Sequence, residues 1–184
     1  MRETVDKWRA VAGRYALLPL RVFLGVTFVY AGLDKLTSDS FFTDSANGSL
    51  LQILHSSHDT AAIPAMVDLA LKAPHGFGYA IALGEIAVGL GTLAGLFGRV
   101  AAAGGALISL SLWLTVSWPT TPYYYGNDLA YLMAWLPLVL AGAPVLSADR
   151  LLAVRRGRAA DAPGASGVTR VTGADGPVRS APPA

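Results

Sequence analysis

Two ionisable residues, Arg21 and Glu85, stand inside long apolar stretches of this 184-residue chain. Charged groups at membrane depth are costly and face a partner or a wet cavity. At the helical rise, Arg21 lies ~9 Å beyond the start of its stretch and Glu85 ~12 Å beyond the start of its own. The two stretches run in opposite directions, so their Cα depths differ by roughly 9 Å in a ~30 Å core. An extended arginine and a tilted helix can close that gap. Two readings are open. Arg21 and Glu85 form a buried ion pair that serves structure alone, with Arg21 snorkelling to the nearer surface as a variant. Alternatively, Glu85 accepts or relays a proton inside a cavity that Arg21 braces.

A second group gathers where the apolar stretches end. Asp34 and Lys35 close the first, Trp118 closes the third, and Tyr123, Tyr124, Tyr125, Asn127 and Asp128 open the fourth. Tryptophan and tyrosine anchor helices at headgroup depth, and Asn127 and Asp128 suit a helix N-terminus. The same residues also offer flat rings, hydrogen-bond donors and a Lys–Asp pair around one opening. Such a lining fits a quinone head group, which is apolar with two carbonyl acceptors.

Other chemistry is excluded. The chain has no cysteine, so disulfides, thiolate metal sites, iron–sulfur clusters and a persulfide carrier are ruled out. His55, His58 and His75 all fall between the first and second stretches, whereas a bundle holding haem needs axial histidines within it. His55 and His58 alone are too few for a metal site, and no phosphate-binding or zinc-protease motif is present. Ser109, Ser111, Thr115 and Ser117 can bond across the bundle or back to their own helix. Redox chemistry must therefore be borrowed from a quinone or a partner.

The elements that position these residues follow from composition. The chain is 53% hydrophobic and 14% charged, against about 25% charged in a soluble domain. Apolar stretches span 15–33, 77–97, 100–118 and 127–146, each near the ~20 residues that cross a bilayer as a helix. The fold class is all-α, an integral membrane four-helix bundle. Segment 1–14 carries a net charge of +2, loop 34–76 a net of −3, and the tail from 147 a net of +3. That alternation places both termini in the cytoplasm and the long loop outside. Within the loop, 50–54 and 63–72 form short amphipathic helices, the first capped by Asn47 or Ser49. They lie at the interface or cover the bundle mouth. Gly91 and Gly95 form a GxxxG that suits helix packing, as does the small-residue run 101–106, and Pro137 kinks the fourth helix. Gly98 and Arg99 make a turn of almost no length between the second and third helices. Segment 151–184 reads as a disordered cytoplasmic tail, and a net charge of only +2 points to no nucleic-acid partner.

The order of these features resembles the DoxX/DoxD-like membrane proteins. The likeness lies in LPLRVFLGVTFVYAGLDKL at 18–36, in Gly84 and Glu85, in YYGNDLAY at 124–131, and in the Leu-Ala-Gly close of the fourth helix. It covers about 15–150. The long first loop fits best with the DoxD branch, the membrane subunit of thiosulfate:quinone oxidoreductase. The resemblance implies a multi-pass protein of the bacterial inner membrane that works at the quinone pool beside a second, DoxA-like subunit. Glu85 and Arg21 would then be the catalytic pair, and Asp34, Lys35, Trp118, Tyr124, Asn127 and Asp128 the mouth of the quinone site. Quinone is expected as substrate, with no haem, iron–sulfur cluster or metal, and a homo-oligomer is compatible. Two alternatives are a small-solute transporter gated by Glu85 and Arg21, and a scaffold that anchors a redox partner.

Overall fold

The computed structural model describes residues 2–142, and these are all helix, turn and loop, without a strand. The helices are α1 (Arg2–Tyr15), α2 (Leu18–Thr37), α3 (Leu50–His58), α4 (Pro64–Leu71), α5 (Pro74–Ala94), α6 (Gly98–Leu112) and α7 (Asn127–Ala141). Three segments are long and apolar enough to cross a membrane: Val11–Thr37, Pro74–Ala94 and Gly98–Ser117. α7 is apolar but shorter; the expected end of the fourth span at 146 and the tail at 151–184 lie outside the described residues.

Several boundaries differ from the sequence expectation, each for a local reason. The N-terminal segment is helical as α1, and a turn at Ala16 and Leu17 separates it from α2. Pro19 sits in the first turn of α2, where its missing N–H costs nothing but its ring cannot continue a preceding helix. α2 runs on to Thr37, so Asp34 and Lys35 belong to its last turn rather than to a loop. The turn after α5 falls at Gly95 to Phe97, earlier than expected. Gly95 is left-handed at φ 64°, with Leu96 N–H donating to Gly91 O at 3.0 Å and Gly95 N–H to Thr92 O at 3.2 Å. This is a glycine-terminated helix end, so Gly95 serves the turn, not a helix–helix contact. α6 ends in a π turn at Trp113–Ser117. There Thr115 Oγ1 donates back to Ser111 O at 2.7 Å and Ser111 Oγ to Ile108 O at 2.8 Å, bonds that bend a helix.

α2 packs most extensively on α5, α5 on α6, and α6 on α7, with α7 returning to α2. The α2–α5 contact is made by backbone. A Cβ on Gly89 would meet Gly25 O at 2.7 Å and Val29 N at 2.8 Å, and one on Gly32 would strike Ala82 O. The small-residue surface expected at 101–106 is real: Gly105 leaves the space that the indole of Trp135 fills. Trp135 is fully buried, and Phe28 meets it edge-on at 4.9 Å. Leu24, Ala102 and Leu138 complete this core.

A second core lies over one end of the bundle. Leu50 and Leu54 of α3 meet Val67 and Ala70 of α4, with Phe41, Phe42 and Phe77 around them. Ser49 caps α3 by accepting from Gln52 N at 3.2 Å, while Gln52 Oε1 accepts from Gly48 N at 2.6 Å, a reciprocal arrangement at the helix start. The α3–α4 cap is fastened to the bundle where Ala62 N–H donates to Leu114 O of the π turn at 2.9 Å. Its two helices are joined at the surface by His58, whose Nδ1 meets Asp59 at 2.8 Å and Nε2 meets Asp68 at 2.9 Å.

Two predictions arise from this packing. Gly89→Ala should lower thermal stability in detergent by about 1–3 kcal/mol through overpacking. Gly84→Ala, where a Cβ meets only Ile108 at 3.5 Å, should be neutral or better; equal effects would contradict the backbone contact. The bonds to Asp59 and Asp68 raise the His58 pKa above its ordinary 6.5. The latch is therefore fully present below 6.5 and is lost as pH climbs through the raised value. Protection of the α4 amides, taken relative to the intrinsic base-catalysed exchange rate, should fall over that rise, and His58→Gln should remove that fall.

Candidate functional site

Glu85 is 3% exposed, in the middle of α5. Lys35 Nζ donates to both its oxygens, at 2.9 Å to Oε1 and 2.8 Å to Oε2, and also approaches Ala31 O at 3.4 Å. The ammonium thus sits at the C-terminal turn of α2, where a cation is favoured, and neutralises a carboxylate buried at membrane depth.

This corrects the expected Arg21–Glu85 pair. The glycine contacts set the register: Gly25 faces Gly89, and Gly32 faces Ala82 and Ile86. Glu85 then stands level with Ala31, about 6 Å along the axis from Lys35 and about 15 Å from Arg21 at the helical rise. Arg21, itself buried, donates from Nη2 to Leu93 O at 2.9 Å. Leu93 is in the last turn of α5, whose carbonyls have no partner within the helix. Arg21 closes that end of the bundle and is not part of the Glu85 site.

Lys35 and Glu85 line a polar cavity of ≈ 380 Å³ between α2, α5, α6 and the start of α7. Ser109, Ser117, Asn127, Asp128, Tyr125 and Tyr131 share the wall. Ser117 Oγ donates to Asp128 Oδ2, which holds the carboxylate against the π turn, within electrostatic reach of Lys35 and Glu85. Lys35 therefore faces two carboxylates. Ser109, 2% exposed, has no hydrogen-bond partner for its hydroxyl among the described residues. Its side chain forms part of the cavity wall, with the hydroxyl oxygen itself buried behind that wall.

Of the residues expected at the mouth, the fold gathers Lys35, Asn127 and Asp128 around this cavity and leaves three outside its lining. Asp34 is exposed on α2. Trp118 is exposed and packs on Trp113 at 5.2 Å. Tyr124, 66% exposed, lies between Tyr123 and Tyr125. Asn127 does not cap α7 through its side chain, since Gly126 holds that position. Sequence reasoning missed Ser109 and Ser117 as site residues, because helical serines ordinarily satisfy themselves. Ser111 and Thr115 do; Ser117 and Ser109 do not. Among the described residues no cluster of three metal-ligating side chains exists.

A second cavity, ≈ 280 Å³ and apolar, lies beneath the α3–α4 cap. Lys35, Leu112 and Asp128 line both cavities. A model of the DoxX family matches residues 16–118, more than half of the chain. The chain belongs to the DoxX family. No curated protein and no solved structure matches it. The family and the long apolar helices together make this DoxX protein a membrane protein. The matched region carries Lys35, Glu85, Ser109 and Ser117, while Asn127 and Asp128 follow it.

Removing one partner of a buried pair leaves an uncompensated charge. Lys35→Met should cost about 3–5 kcal/mol in thermal stability, and adding Glu85→Leu should restore most of it. Arg21 and Glu85, by contrast, should be additive within about 0.5 kcal/mol in a double-mutant cycle. Strong coupling between them would reinstate the pair that the geometry rejects.

Proposed function

We propose that this DoxX protein is the membrane subunit of a quinone-linked oxidoreductase. One observation carries the reading. A buried Lys35–Glu85 pair shares a cavity with Asn127 and a second carboxylate, Asp128, among helices long and apolar enough to cross a membrane. A quinone head group needs donors for its two carbonyl oxygens and, on reduction, two protons. The Asn127 amide supplies a donor, and Glu85 and Asp128 are the groups that can deliver protons, replenished from the water at the cavity mouth. Lys35 holds Glu85 in place and balances its charge whenever it has given its proton up.

The electrons come from elsewhere, since a chain without cysteine and without interior histidine has no carrier of its own. A sulfur donor such as thiosulfate balances the reaction. Two thiosulfate ions joined through a new S–S bond release two electrons, which with two protons convert quinone to quinol. A second, DoxA-like subunit would oxidise the donor. The acidic loop and the basic N-terminal segment suit an orientation in the bacterial inner membrane with both termini cytoplasmic and the α3–α4 cap outside.

Glu85→Gln should reduce thiosulfate-driven quinone reduction in membranes by about 100-fold or more, the scale of a lost proton-transfer group. Immunoblotting must show equal protein. Equal rates in membranes with and without the wild-type chain would sink the thiosulfate version, and full activity in Glu85→Gln would sink the proton role.

A further inference from the structure

The apolar cavity beneath the α3–α4 cap has no part in proton delivery, yet it is built as a site. Ile53 of α3, Met66 of α4 and Ile81 of α5 face into it, with Leu112 and Val116 at the end of α6. Its wall is continuous with that of the polar cavity through Lys35, Leu112 and Asp128. A molecule with its head beside Glu85 and Asn127 has this apolar compartment adjoining it. The two cavities are unlike in chemistry and share one wall, which is the layout an amphiphile requires. The cap is held shut over the space by the Ala62–Leu114 backbone bond and the His58 contacts.

We propose that this cavity takes the first isoprenoid units of a quinone tail, so that the α3–α4 cap is a tail clamp. The inference rests on the quinone reading of the polar cavity. Aliphatic chains and the rings of Phe41 and Phe77 suit a branched hydrocarbon; besides the shared Lys35 and Asp128, the lining's polar side chains are Ser111 and Thr115, whose hydroxyls already donate to Ile108 O and Ser111 O. A phospholipid acyl chain has the same solubility but brings a phosphate. That phosphate would add an anion to a wall that already sets two carboxylates, Glu85 and Asp128, against the single ammonium of Lys35, and this charge balance favours the uncharged quinone head.

The test compares a tail-less benzoquinone with its prenylated counterpart, each titrated against the full chain in detergent. Partition of the tailed compound into micelles is the same for every variant, so it cancels when ratios of affinity are compared between proteins. Ile81→Trp, which fills the cavity from α5, should leave tail-less binding intact and cut the advantage of the prenylated quinone about tenfold, the scale of burying one leucine-sized group. Met66→Trp fills it from α4 and should do the same, which guards against one variant misfolding. A photoreactive group on the first isoprenoid unit should label α3 and α4, and excess prenylated quinone should suppress the labelling. If tail-less quinone binds but neither variant changes the ratio, the clamp is overturned and the quinone reading stands. If neither quinone binds while a photoreactive phospholipid labels the cap, both are overturned.

Discussion

Backbone contact between α2 and α5 decides which charges can meet. Where Gly25 and Gly32 lie against Gly89 and Ala82, the helices approach more closely than any side chain would permit. In lipid, where burying apolar surface earns little, such close packing is a main source of helix association. The register that results lifts Glu85 to the level of Ala31, within reach of Lys35 and away from Arg21. The buried ion pair is thus a product of glycine placement. The rest of the cavity depends on it, because a carboxylate at that depth without its lysine would be expelled or neutralised.

The architecture was legible from composition and from the spacing of apolar runs, because lipid imposes helix length directly. The helices in the long loop were legible too, through Ser49 as a cap and Pro64 as a first-turn residue. The pairing of charges was not. A depth estimate treats helices as rods of unknown offset, and an error of about one turn put Arg21 where Lys35 belongs. The GxxxG at Gly91 and Gly95 was half a cue: Gly91 packs closely on Ala101 of α6, but Gly95 makes a turn, and the glycines of the α2–α5 contact lie on two different helices at wider intervals. Nor could sequence separate Ser109 and Ser117 from Ser111 and Thr115. That distinction arises from tertiary packing, since Ser117 meets Asp128 only where the start of α7 lies beside it.

The aromatic residues divide in a similar way. Tyr125 and Tyr131 reach the polar cavity, whereas Trp118, Tyr123 and Tyr124 remain at the surface. A row of three tyrosines looks uniform in sequence. Its short 3-10 turn at Tyr123–Tyr125 fans the rings apart, so that only one borders the cavity and the others hold the loop at the interface.

The depth of Glu85 has an electrical meaning as well. Six residues separate the end of α2 from the level of Glu85, about 9 Å at the helical rise, or roughly a third of a ~30 Å hydrocarbon core. A proton that moves between the capped end and Glu85 crosses that fraction of the transmembrane potential, ~0.7 kcal/mol for each 100 mV. Under the proposed proton role, uptake at this carboxylate would move charge, so an energised membrane would weight its two protonation states differently from a depolarised one. Position alone would then tie that step to the membrane voltage.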